Sequence, residues 1–159
     1  MAGLRERLIG AWQLVSYVEN PTDGSEPFMP FGEKPQGIIM YTPDGYMSAQ
    51  LGAAGSERQP FASGDWFDGT AEEYREEATS YIAYSGKFFV DEEAGTLKHN
   101  MFVSLFPNWI GQVQPRKVEI VGDELHLGSV APLMSAGKEV QSTLVWKRME
   151  QNTAASENE

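Results

Sequence analysis

The chain has 159 residues, 41% hydrophobic and 22% charged, long enough for one domain with a buried core. Its formal charge of −11 argues against nucleic acid and anionic membrane surfaces as partners, and no apolar run is long enough to span a bilayer. The absence of cysteine excludes disulfides, thiol catalysis and cysteine zinc sites; with no signal-peptide pattern, the cytoplasm is the expected location.

Residues Ala2 to Ile9 read as a short helix with Leu4, Leu8 and Ile9 on one side. Gly10 opens a strand to about Val18, whose alternation puts Trp12, Leu14, Ser16 and Val18 on one face. Residues 20–35 form a proline-rich loop carrying Phe28 and Phe31. Gly37–Thr42 and Tyr46–Leu51 form a hairpin over Thr42-Pro43-Asp44-Gly45, a type I turn with a bulge at the glycine. Ile39, Tyr41, Met47, Ala49 and Leu51 share its apolar face. Residues 52–69 are irregular, with Phe61, Trp66 and Phe67 embedded. Thr70-Ala71-Glu72-Glu73 is a capping box, and Tyr74, Ala78, Tyr81 and Ile82 follow at helical spacing, predicting about three helical turns.

A meander follows, with strands predicted at 83–91, 96–105, 112–121 and 124–128. Val121-Gly122-Asp123-Glu124 is a two-residue hairpin in which Gly122 and Asp123 are both expected at positive φ. It sets Ile120 opposite Leu125 and Val118 opposite Leu127. The turn through Gly95 sets Val90 opposite Leu97 and Phe88 opposite His99. Across the next pair, Met101 is expected opposite Arg116 and His99 opposite Val118. One face then carries Tyr84, Phe88, His99, Met101, Val103, Leu105, Val118 and Ile120, and alternation adds Gln112, Gln114 and Arg116. Residues 128–138 are a loop, and the last strand, Glu139 to Lys147, places Val140, Ser142, Leu144 and Trp146 together. Residues 151–159 are expected to be a disordered polar tail beyond one domain spanning 1–150.

The class is all-β: an eight-stranded antiparallel up-and-down barrel with a short N-terminal helix and one helix between the third and fourth strands. If the strands alternate, the tight hairpins 42–46, 91–96 and 121–124 share one end, and the long connections frame a mouth at the other. A sandwich with a solid core is the alternative.

The strings GAWQLVS, PFG..P.G.I.Y..DGYMSAQ, YIAYSGKF, SLFPNW and STLVWKR resemble the bacterial and fungal lipocalin-like domain family over nearly the whole chain. The resemblance implies a small calycin barrel, with Trp12 plugging the closed end and Arg148 or Lys147 packing across it. It implies no single activity.

His99 lies on the apolar face beside Phe88 and Met101. It is either a buried histidine hydrogen-bonded to its surroundings or a ligand hydrogen-bonder and acid/base. His126 falls on the opposite face, so the two histidines build no metal site. Arg116 inside a barrel must be paired, reach the mouth, or meet an anionic or carbonyl-bearing ligand. Around it the expected ligand wall is Tyr41, Met47, Tyr84, Phe88, Met101, Val103, Gln112, Gln114 and Ser142, with Trp66 and Trp109 at the mouth. Phe28, Phe31, Phe67 and Phe106 are further lid or loop-core residues.

These residues point first to a small-molecule binding barrel for an apolar or aromatic metabolite with a carbonyl or acid group. The alternative is a cofactor-free cyclase or isomerase acting on a polyketide- or terpenoid-like intermediate, with His99 as acid/base, Arg116 stabilising oxyanion charge and Tyr84 donating. A non-catalytic interaction domain is a third reading. No phosphate loop or dinucleotide fingerprint calls for a cofactor, and a monomer or homodimer is expected.

Overall fold

The computed structural model describes residues 2–157. It is a closed antiparallel barrel of eight strands, one of them extended by a short ninth. The strands are β1 Gly10–Pro21, β2 Gln36–Tyr41, β3 Tyr46–Gly52, β4 Tyr81–Asp91, β5 Thr96–Ser104, β6 Val113–Val121, β7 Glu124–Ser129, β8 Leu133–Ser135 and β9 Lys138–Arg148. They pair in the order β1-β2-β3-β4-β5-β6-β7-β9, and β9 closes on β1. Closure leaves no unpaired edge in the ring. β8 falls in the predicted 128–138 loop; it folds back on the first residues of β9, pairing Leu133 with Val140.

Helix α1, Leu4–Leu8, lies across the end that holds the three tight hairpins. The Glu92 carboxylate accepts from the N–H groups of Leu4 and Arg5 at 2.7 and 2.9 Å, satisfying free donors at the start of the helix. Arg5 donates to the Pro43 carbonyl and Arg7 to the Ile120 carbonyl, so the helix touches all three hairpins. Beneath it Trp12 is fully buried. Its ring is covered by the Arg148 guanidinium at 4.0 Å, and its indole N–H donates to the Leu8 carbonyl at 3.0 Å. Arg148, rather than Lys147, is thus the basic residue over the plug.

Gly45 and Gly95 take positive φ, as their turns require. In the third hairpin Gly122 has φ 62° but Asp123 is not in the positive region, which makes the turn type II′.

Three corrections to the expected registers follow from backbone geometry. In β1 a bulge between Leu14 and Ser16 reverses the alternation. Trp12 and Leu14 point in as expected, but beyond the bulge it is Tyr17, Glu19 and Pro21, not Ser16 and Val18, that face the interior. In β5 the register shifts opposite Ser85/Gly86, so Phe102 is extra and Val103 is left 51% exposed. A Cβ on Gly86 would lie 1.9 Å from the Asn100 carbonyl oxygen, so the close approach there requires glycine. Between β5 and β6, Arg116 pairs with Leu97 rather than Met101, and His99 with Gln114 rather than Val118. The slip is four residues (101 − 97), an even number, so every side chain keeps its face.

Helix α2, Ala71–Thr79, starts on the predicted capping box, with both reciprocal hydrogen bonds made. It ends earlier than expected, and Tyr81 and Ile82 belong to β4. No residue of α2 is buried. Thr70→Ala therefore removes about 1 kcal/mol from the helix alone. The expected result is about fivefold faster amide exchange across 71–79 with the barrel's melting temperature unchanged within about 2 °C.

Residues 151–157 are exposed and carry no helix or strand. The last two residues of the expected tail, 158–159, lie outside the described residues.

Candidate functional site

The interior divides into a packed floor and a polar upper half. On the floor Trp12, Ile39, Leu97, Leu125 and Trp146 are fully buried. His99 of β5 is embedded at the boundary. Its Nε2 lies 2.8 Å from the Tyr41 hydroxyl, and its ring stands between those of Tyr41 and Tyr84, at 5.7 and 6.2 Å. Nδ1 is buried with no hydrogen-bond partner. Burial first, and the Arg116 charge second, hold its pKa down to about 3, so the ring is neutral. Phe88 and Met47 complete this layer, with Phe88 set edge-on to Tyr41 at 5.0 Å.

Above it, β6 presents the predicted polar ladder. Arg116 donates to the Gln114 side chain and, at 3.2 Å, to the Pro115 carbonyl, and Gln114 donates to Gln112 at 3.0 Å. Arg116 is half-buried, on the same face as Val118 and Ile120, which pack against the core. Its register partners Leu97 and Ser129 are both buried, so Arg116 stands on the inner wall of the barrel. It makes no ion pair with a carboxylate among the described residues. His99 and Arg116 remain diagonal neighbours despite the register correction, because His99 faces Gln114 and Arg116 faces Leu97.

The opposite wall carries residues the sequence reading missed. Glu19 is fully buried; it accepts from the Tyr17 hydroxyl on one oxygen and from Ser142 Oγ, at 2.8 Å, on the other. Burial and the Glu19 carboxylate drive the Tyr17 phenol upward, so it stays protonated. Ser129 is buried below and accepts from the Ser142 N–H at 2.9 Å. The bulge at Val15 hid this wall, and a charged residue in an inward position gives no apolar signal. The one available trace was the run Tyr17-x-Glu19-x-Pro21, out of step with Trp12-x-Leu14.

The mouth residues behave differently from one another. Phe31 is buried edge-on to Tyr17 at 5.5 Å, and Trp109 stands edge-on to Tyr84 at 5.5 Å with Phe106 behind it. Phe28 pairs its backbone with Glu19. Trp66 and Phe67 are 67% and 86% exposed and lie against each other with rings tilted by 38°, so neither lines the interior. Gln112 and Val103, both expected on the ligand wall, are exposed at the rim. The structure therefore brings together Tyr41, Met47, Tyr84, Phe88, His99, Met101, Trp109, Gln114, Arg116 and Ser142, and leaves Trp66, Val103 and Gln112 outside that group.

Comparison with known proteins agrees with this architecture. Residues 9–149 match the lipocalin-like domain family. Over 112 residues, 65% of this chain and 96% of the relative, the sequence is 40% identical to the 4'-hydroxy-3'-methoxypropiophenone carrier protein ppsC of Aspergillus oryzae. The chain belongs to the lipocalin-like domain family.

Proposed function

We propose that this lipocalin-like chain is a small-molecule binding barrel that holds an aryl ketone, or a similar apolar aromatic metabolite with a carbonyl or acid group, in its upper half. The observation that carries the reading is Arg116, a guanidinium inside the barrel with no carboxylate partner among the described residues. A cation so placed is stabilised by a ligand oxygen, and its fork of donors suits a carbonyl or carboxylate. His99, buried beside Tyr41 and Tyr84, holds the Tyr41 hydroxyl at 2.8 Å. Tyr84 and Trp109 supply flat apolar surface for an aromatic ring. The relative's name, which specifies carriage of an aryl ketone, supports the same ligand class.

A cyclase or isomerase using His99 as general acid/base has less support. An imidazole held at a pKa of about 3 is a weak base at neutral pH, and its cation is almost absent. The carrier reading needs only a neutral hydrogen-bonding ring.

Titration of the chain with para-hydroxypropiophenone, followed by calorimetry, tests the proposal. Arg116→Met should weaken binding by roughly 10–100-fold, the worth of hydrogen bonds to a charged group, with the barrel intact by circular dichroism. Trp66→Ala should leave affinity within about twofold, as its ring lies outside the interior. Unchanged affinity in Arg116→Met removes this site.

A further inference from the structure

We infer that Glu19 makes one wall of the barrel a hydrogen-bond acceptor, through Tyr17 and Ser142, and that the ligand meeting this wall presents a hydroxyl donor. The inference rests on the binding reading above. It narrows the ligand from a carbonyl compound to one that also donates, such as a hydroxylated aryl ketone.

A carboxylate buried without a cation is costly and persists where other groups compensate it. Glu19 is fully buried and makes no ion pair among the described residues. Its partners are two hydroxyls, Tyr17 on Oε1 and Ser142 on Oε2. A carboxylate only accepts, and a hydroxyl has a single proton to give. Both protons are thus committed to Glu19, and the Tyr17 and Ser142 oxygens keep only lone pairs for a third partner.

The two hydroxyls are within reach of a ligand although Glu19 is not. Tyr17 and Ser142 are half-buried, whereas the carboxylate between them is sealed. Their positions are fixed: the Phe31 edge holds the Tyr17 ring, and Ser129 holds the Ser142 backbone N–H. Arg116 faces the same interior, because its partner on β7 is Ser129, which accepts from the Ser142 N–H. A molecule donating to Tyr17 on the β1 wall can therefore accept from Arg116 on the β6 wall. Glu19 touches neither group of the ligand; it is a positioning residue that fixes the direction of two hydrogen bonds.

The test compares para-hydroxypropiophenone, its methyl ether and unsubstituted propiophenone by calorimetry. On the unmodified chain the phenol should bind about tenfold tighter than the ether, which cannot donate. Tyr17→Phe should bring the two within about twofold, by weakening the phenol more than the ether. Glu19→Gln places an amide donor beside one hydroxyl and should lower the same ratio with the ether still bound. If Glu19→Gln instead weakens all three ligands equally, the residue is merely structural and the inference fails. If Glu19→Gln does not fold, the ratios in the unmodified chain and Tyr17→Phe decide. Equal affinity for phenol and ether on the unmodified chain overturns this inference and leaves the binding barrel standing. Binding of none of the three overturns both.

Discussion

Replacing Trp12 by alanine lowers the stability of the barrel by about 3–5 kcal/mol, the range for deleting a large buried aromatic. Trp12 is fully buried at the closed end, and three elements meet on it. α1 accepts its indole N–H through the Leu8 carbonyl, and Arg148 of β9 lies over its ring at 4.0 Å. Arg148 is itself tied back to α1, donating to the carbonyls of Ile9 and Arg7. Loss of the ring removes the cation–π contact and leaves a cavity that the closed strand ring cannot collapse to fill. For a domain of this size the melting temperature should fall by roughly 6–20 °C. Differential scanning calorimetry measures it, and a fall below about 3 °C would mean that Trp12 does not plug the barrel. Because Trp12 meets Leu8 and Arg148 and not Arg116, aryl-ketone affinity in the folded fraction should change little.

Acid should destabilise the chain through His99, and removing His99 should remove that part of the acid sensitivity. The folded ring has its pKa lowered from 6.5 to about 3, chiefly by burial, with Arg116 adding to the effect. Below pH 6.5 the unfolded chain takes up a proton at this position and the folded chain does not. Stability therefore falls as pH falls through the window from 6.5 down to about 3, where the folded ring finally protonates. Between pH 7 and pH 4 the loss is about 3 kcal/mol. The groups that face the ring, Tyr41, Tyr84 and Arg116, include no carboxylate that would pair with its cation. Urea denaturation of the chain and of His99→Gln at pH 7 and pH 4 isolates the effect, since the surface carboxylates contribute equally to both. The variant should lose about 3 kcal/mol less on acidification. Parallel losses would mean that the imidazole is not neutral and buried in solution.

Much of the barrel was legible in the sequence because alternation is a local property. Val90–Leu97 and Phe88–His99, and Val118–Leu127 and Ile120–Leu125, pair as their hairpins dictate. A two- or four-residue turn admits few registers, and a one-residue slip would turn an apolar face to water. The inward placement of His99 and Arg116 survived even a misjudged pairing, because the β5–β6 slip is even. The capping box of α2 was equally plain, since its residues lie three positions apart, whereas the plug at Trp12 came from the resemblance to the lipocalin-like family.

What only the tertiary structure decided lies beyond the bulges and in the contacts between distant strands. A bulge inserts one residue with little mark on the sequence, and everything past it changes face. That is how Val103 moved to the rim and how Tyr17 and Glu19 moved inside. Glu19 is tolerated there because closure of β9 on β1 sets Ser142 beside it, 123 residues away in the chain. The sequence alone determined a barrel with a closed end, an open end and a cation on its inner wall. That Glu19 meets Ser142, and that their wall shares an interior with Arg116, was decided by ring closure, because only closure brings β1 and β9 together.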